Sequence, residues 1–330
     1  MFRVPKITAD RNLPRYLSAP SQATLNALPW TLPQIQAFSN NPILGPPGFA
    51  SNITWWPPIG NSFYHGLATQ VNRRFSKGLS AIVSYTWSHN IDDGTATHFS
   101  TWLTPRREQD FVNLRPDKAS SALDRRHRLT LNWVYETPWM KNSSNWAARN
   151  LIGNWRWTTS YTYESPEFAT ATSGLDSNLN GDAAGDRNVV NPAGDPKKGS
   201  DIRPLTNSAG ATVAYLALDP SAMYIKAGLG TLPTGGRNTL PTNPTNNFDM
   251  SFAKIFNVRG ENQKIEFRGD FGNIFNHPQY VPGYINSVRL NDKYTDTRDY
   301  LIPGNARFQK WDQIFPSNAR SVQLALRYTF

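Results

Sequence analysis

Between Asn154 and Glu164 the sequence NWRWTTSYTYE sorts its side chains into two interleaved sets. Trp155, Trp157, Tyr161 and Tyr163 stand against Arg156, Thr158, Ser160, Thr162 and Glu164. A helix advances 100° per residue and would mix these sets, whereas a strand alternates through 180° and separates them. The same alternation marks segments near residues 63–75, 79–88, 128–136, 248–256, 264–272 and 321–330. In the last, Val322, Leu324, Leu326, Tyr328 and Phe330 oppose Ser321, Gln323, Ala325, Arg327 and Thr329. The pattern predicts an all-β chain of about 7–8 antiparallel strands, each with one apolar and one polar face.

What covers the apolar face follows from composition. Aromatic residues make up 12% of the chain, with 11 Trp and 13 Tyr, yet the mean hydropathy is −0.54. An outer-membrane barrel reconciles the two, because alternate residues meet lipid, aromatics ring both interfaces, and lumen and loops stay polar. No run approaches the roughly 18–20 apolar residues of a membrane-spanning helix, so any crossing uses strands. MFRVPKITADRNLPR lacks the apolar core of a secretory leader, so the expectation is a piece or a trimmed product of an exported protein. The absence of Cys rules out thiolate metal sites, disulfides and cysteine nucleophiles. The +10 charge is scattered through strands and loops. It reads as lumen and loop surface, not as the footprint of a nucleic-acid partner.

Connection lengths give an independent test, since such barrels alternate short turns with long outer loops. A tight turn at Ser76 to Gly78 precedes a long excursion from about His89 to His127, and the medium link PWMKNSSNWAARNLIG precedes another from about Ser165 to Asn246. A short VRGEN turn precedes a third long one from about Asn276 to Ala319. Counted back from a periplasmic C-terminus, residues 1–60 form an extracellular loop with the end of a preceding strand, and 61–330 form the barrel region. The long connections are rich in Pro, Gly, Asn and Asp, so irregular, solvated backbone is expected there.

YHGLATQVNRRFSKGLSAIVSYTWSHNIDD after Phe63, DRRHRLTLNWVYETP, LIGNWRW, FRGDFGNIFNHPQY and the terminal LALRYTF together resemble the C-terminal barrel of TonB-dependent transporters, of the Oar-like, carboxypeptidase-regulatory-like branch. The resemblance runs from about Phe63 to Phe330. It implies a bacterial outer-membrane location and transport through a large plugged barrel. It also implies partners: outer-membrane lipid, the barrel-assembly machinery, a plug domain and the TonB energy coupler. No plug and no energy-coupling box is recognisable here, and seven strands are too few for a plugged lumen, so the chain reads as a fragment of the receptor. Tyr328 and Phe330 match the family's terminal strand and would carry the assembly signal.

Candidate chemistry is sparse. DSNLNGDAAGDR places Asp176, Asn178, Asn180 and Asp182 at positions 1, 3, 5 and 7 of an EF-hand-like loop with Gly181 at position 6, a spacing that can wrap Ca²⁺. Position 12, which should supply a bidentate Glu, is Arg187, and an Asx-rich loop without an ion is the plainer reading; no other cofactor is expected. DRRHR at Asp124 to Arg128 is read as locally paired charge rather than an anion site. No GxSxG, P-loop, GxGxxG or HExxH occurs, so no enzyme activity is expected. Trp87, Trp133, Tyr135, Trp155, Trp157, Tyr163 and Tyr328 are expected at the membrane interfaces. The alternative to a transport module is a surface binding or adhesion module with ligand- or Ca-binding loops.

Overall fold

The computed structural model describes residues 13–39, 58–94, 108–110, 113–181, 183, 185–259, 263–280, 299–313 and 317–330. Seven long strands form one antiparallel sheet in sequence order: β1 (Ser62–Ser76), β2 (Leu79–Asp92), β3 (His127–Glu136), β4 (Trp155–Glu164), β5 (Thr245–Arg259), β6 (Gln263–Gly272) and β7 (Ser321–Thr329). A short strand, Ala119–Ser120, extends the sheet beside the upper end of β2. The antiparallel transmembrane barrel architecture is thus present as an open sheet, and among the described residues β1 and β7 each pair on one side only. No described helix is long and apolar enough to cross a membrane.

Each strand forms where the alternation is cleanest; most continue a little past it, while β4 and β7 stay within it. β2 runs on through His89, Asn90, Ile91 and Asp92, where the alternation persists but its outer face is no longer purely apolar. β5 begins at Thr245 and ends at Arg259, longer at both ends than the alternation over 248–256 delimits. The β1–β2 hairpin closes through Lys77 and Gly78, whose φ values of 51° and 84° are the pair of positive angles a two-residue twisted hairpin turn requires. A Cβ on Gly78 would lie 2.2 Å from the Glu136 carbonyl oxygen, so glycine is required there twice over.

Cross-strand pairing fixes the two faces. On one lie Val71, Val83 and Leu131 in a row, and Leu67 beside Trp87. Leu67 is 60% and Val71 68% exposed, values that in a water-soluble sheet would leave a large apolar patch uncovered. An aromatic ladder crosses the same face from Trp133 to Trp157, Phe252 and Phe271, with ring centroids 5.7 to 6.0 Å apart. The opposite face carries Ser84, Thr130, Asn132, Ser160 and Thr162. Two ion pairs lie on it: Arg156 with Glu136 at 2.9 Å and Arg268 with Asp270 at 2.9 Å. Ser251 donates to Asp270 at 2.6 Å.

Cations also stand on the apolar face: Arg73 faces Ala81 near the turn end of β1, and Lys254 lies on β5. Lys254 shares the parity of Phe252, yet it is buried. The link before β4, with its π-helical turn Ala148–Ile152, folds over it so that the ammonium donates to the Gly153 carbonyl. It lies 5.0 Å from the Trp155 ring and 5.5 Å from Phe256. A long stem along apolar surface with its charge held by carbonyl and rings is how a lysine tolerates an interface.

Candidate functional site

All long connections leave the same end of the sheet, and there they fold together into a cap. The connection between β4 and β5 is largely irregular but carries short strands. Ala222–Ile225 pairs antiparallel with Val189–Val190 and parallel with Asp195–Ser200, and Ile202–Thr206 forms a hairpin with Thr212–Ala217. The segment before β1, read from sequence as a loop, holds three helices, α1 (Leu13–Leu17), α2 (Gln22–Asn26) and α3 (Leu32–Ser39). Each contributes to a separate apolar cluster of the cap. Tyr16 packs with Val189, Tyr215 and Ile225; Leu25 with Leu205 and Val213; Ile35 with Leu179. Tyr16 is fully buried. Its hydroxyl lies 2.8 Å from Thr231 Oγ1 and accepts from the Gly228 amide at 3.0 Å. The connection between β6 and β7 closes the fourth cluster by placing Tyr300, Leu301, Phe308 and Trp311 against Tyr224 and Leu240.

Two buried arginines lock this cap to the sheet and to the connection after β2. Arg187 donates to Gln109 Oε1 at 3.0 Å, the Pro116 carbonyl at 2.9 Å and Asp117 Oδ1 at 2.7 Å. Arg237 donates to the Asp117 carbonyl at 2.9 Å, to the Asp92 carbonyl at 2.6 Å and to the Asp92 carboxylate. Asn238 adds a bond to the Ser120 carbonyl at 2.7 Å. Burial raises the Asp117 carboxyl above its ordinary value despite Arg187, and burial lowers Arg187 despite Asp117. Both groups are displaced toward neutrality, so desolvation outweighs their attraction, as is common for buried ion pairs.

A second cluster sits where β3 and β4 meet the cap. Arg125 pairs with Glu164 at 2.7 Å and Glu167 at 3.2 Å, and Arg128 reaches Glu164 at 3.2 Å. Asp124, buried, accepts the Asn90 amide at 2.8 Å and holds Arg126 at 3.2 Å. The DRRHR charges are therefore spent on one another and on the strand ends. Burial raises Glu167, with Arg125 opposing and Glu164 adding to the rise.

These shifts set a pH dependence. A carboxyl raised in the folded state contributes stability that is complete below its unfolded value and is lost as pH rises through its folded value. Asp117 and Glu167 start from 3.8 and 4.5. Protease nicking of residues 165–242 in detergent-folded protein is expected to be slowest near the lower of these values and to quicken toward neutrality. Glu167→Gln should flatten that profile, and an unchanged slope would remove Glu167 as a contributor.

Of the Ca²⁺-loop candidates, Asp176, Asn178 and Asn180 are among the described residues. Asp176 accepts the amides of Asn180 and Gly181 at 2.9 and 2.8 Å. The Asn178 side chain accepts the Asn180 amide and donates to Gln109 O and Asp186 Oδ1. Asp182 lies outside the described residues, and among those described no three His, Cys, Asp or Glu side chains are grouped to hold a metal. Arg187, at position 12, points into the anchor described above. The interface aromatics divide between the two ends of the sheet. Tyr135, Trp155, Trp157 and Tyr328 lie near short connections, with Trp133 slightly further in, while Trp87 and Tyr163 lie toward the cap. Tyr328 stacks on Phe330, ring centroids 5.7 Å apart. Asp92, Gln109, Asp117 and Arg237 carry no motif, and nothing in the sequence distinguishes them from other loop polar residues.

Residues 11–295 match the outer membrane beta barrel domain family. No curated protein matches the chain.

Proposed function

The chain belongs to the outer membrane beta barrel domain family and so is a β-barrel protein of the bacterial outer membrane; from that premise we propose that it is the C-terminal barrel sector of a TonB-dependent, Oar-like receptor. The observation that carries this reading is the open sheet. Seven strands that reverse at every step leave β1 and β7 running in the same direction, so they cannot close on each other as an antiparallel pair. An even-stranded antiparallel barrel then requires an odd number of further strands between them. Unpaired edge amides and carbonyls cost several kcal/mol each in hydrocarbon, so both edges need partners in the membrane. The remaining receptor polypeptide, with its plug, would supply them, and the TonB coupler would act on that plug. The chain's own contribution is structural and vectorial: a polar, charge-paired wall for the lumen, an anchored cap over its outer mouth, and the terminal strand read by the assembly machinery. None of these features constitutes a catalytic centre, and the proposal includes no enzyme activity.

The chain has no Cys, which makes the edges directly testable. Single cysteines at Gln70 on β1 and Ala325 on β7, cross-linked in native outer membranes, should each capture a strand of a plug-bearing polypeptide. Cross-linking of Gln70→Cys to Ala325→Cys, within one chain or between copies, would overturn the receptor reading. A second reading has its own support, since the cap is a packed unit with four apolar clusters. If β1 and β7 do meet, a small barrel displaying the cap as a surface binding module is what remains.

A further inference from the structure

The three helices before β1 lie on the cap as a bound peptide would. α1, α2 and α3 hold 5, 5 and 8 residues, each below the roughly 12–15 at which an isolated helix sustains itself. Pro20 and Pro29 separate them, since a proline cannot continue the preceding helix. Their starts are encoded locally. Ser21 Oγ accepts the Thr24 amide at 3.2 Å to cap α2, and Thr31 and Gln34 cap α3 reciprocally, amide to side chain at 2.9 and 3.4 Å. The segment thus specifies helices but depends on a surface to hold them.

It meets that surface through one buried side chain per helix. Tyr16, Leu25 and Ile35, nine and ten positions apart in sequence, are 0%, 6% and 0% exposed, whereas Gln22, Ala23, Asn26 and Gln34 beside them are exposed. The Tyr16 ring stacks on Tyr215, centroids 6.2 Å apart. Between the anchors, Gln22 Nε2 donates to the Thr206 carbonyl at 3.1 Å and Asn26 Oδ1 accepts the Ser208 amide at 2.8 Å. These contacts all fall on the β4–β5 connection, and the acceptors described above for Arg187 and Arg237 lie in other segments. The helices can therefore lift without breaking the anchor that ties the cap to the sheet. Lifted, they would uncover apolar pockets floored by Val189 and Tyr215, by Leu205 and Val213, and by Leu179.

We propose that the face of the cap beneath α1–α3 is a peptide-binding groove, filled intramolecularly by residues 13–39 and open, when that strap lifts, to an external neutral peptide with one aromatic and two aliphatic anchors. Spaced anchors from short helices entering apolar pockets are a recurring mode of peptide recognition. The resident strap shows what the groove selects. From Tyr16 to Ser39 it carries no charged residue, in a chain of net charge +10, so recognition rests on apolar anchors and neutral hydrogen bonds. Tethering holds the strap at a high effective concentration, and the docked strap is therefore an autoinhibitory contact. The groove requires only the packed cap and stands whether or not the chain belongs to a transporter.

The probe is a fluorescent synthetic peptide of residues 13–39, added to the full chain folded in detergent and read by anisotropy. Wild type, its groove filled, should bind the probe weakly. Tyr16→Ala in the chain loosens the strap and frees the Tyr215 pocket, and should tighten binding about tenfold. The probe carrying Tyr16→Ala should lose that gain, and added salt should leave the affinity unchanged. Two buried positions report the state of the cap. Ala214→Cys, in the Leu25 cluster, should react with a maleimide in the Tyr16→Ala background, while Ala171→Cys, in the cluster closed by the β6–β7 connection, should stay protected. No gain in probe binding, or a gain that the altered probe keeps, would overturn the proposal. If Tyr16→Ala also exposes Ala171→Cys, Leu25→Ala replaces it, and exposure of Ala171→Cys in both variants would show that the strap is part of the cap's core and not its ligand.

Discussion

Replacing Arg187 by methionine is expected to release the cap while leaving the membrane strands intact. The side chain is fully buried, and its removal takes a donor from three acceptors at once: Gln109 Oε1, the Pro116 carbonyl and the Asp117 carboxylate. Asp117 Oδ2 already has no hydrogen-bond partner, so the buried carboxylate would keep only the Gln109 amide and the more distant charge of Arg237 to compensate it. Breaking one side of a buried pair costs about 3–5 kcal/mol, enough to shift a local opening equilibrium by about two to four orders of magnitude. The measurement is nicking within residues 165–242 under mild protease, with heat-modifiable mobility as the control for the strands. Removing both charges, as Asp117→Leu with Arg187→Met, should restore most of the protection. That outcome is expected because burial displaces both groups toward neutrality and so outweighs their attraction. Wild-type nicking in the single variant would show that Arg237 and the apolar clusters hold the cap without Arg187.

That anchor also explains why half of the architecture was legible in the sequence and half was not. Among the described residues, period-two alternation located every long strand of the sheet because each strand faces two solvents at once, lipid and water, and its residues must declare which side they are on. The cap is under no such constraint. Its strands are two to six residues long, too short to carry a period, and its clusters draw on α1–α3, the β4–β5 connection and the β6–β7 connection together. The pairs that fix it are equally remote, Arg187 to Asp117 across 70 positions and Arg237 to Asp92 across 145. The spacing of Asp176, Asn178 and Asn180 was visible, but spacing does not reveal that the Asp176 and Asn178 oxygens accept the amides of Asn180 and Gly181. In the charged segment before β3 the composition was informative, because five adjacent polar residues at a strand end have nearby partners of both signs.

The assignment of faces makes the sharpest prediction for the membrane region, at two adjacent residues. Val83 lies in mid-strand between Val71 and Leu131, and Ser84 lies between Gln70 and Thr130. The first row belongs to the apolar face and the second to the polar face, one residue and half a pleat apart. An arginine at Val83 would stand near the middle of the hydrocarbon, where lipid-facing Arg costs about 2–4 kcal/mol. Neither snorkelling nor a neighbouring anion relieves it, because the charged groups of this sheet lie on the other face or near the strand ends. At Ser84 the same side chain would enter a hydrated wall already carrying Arg156 and Arg268, and substitutions on such a surface stay within roughly 0.5 kcal/mol. Val83→Arg should therefore sharply lower the yield of heat-modifiable, protease-resistant protein on refolding into liposomes, while Ser84→Arg should refold like wild type. Equal yields would mean that neither face meets lipid, and a reversed order would mean that the sheet is assembled inside out. Only the expected order is compatible with a barrel whose lumen is lined by Ser84, Thr130 and Ser160, because a one-residue slip in the pairing exchanges every lipid-facing residue for a lumenal one.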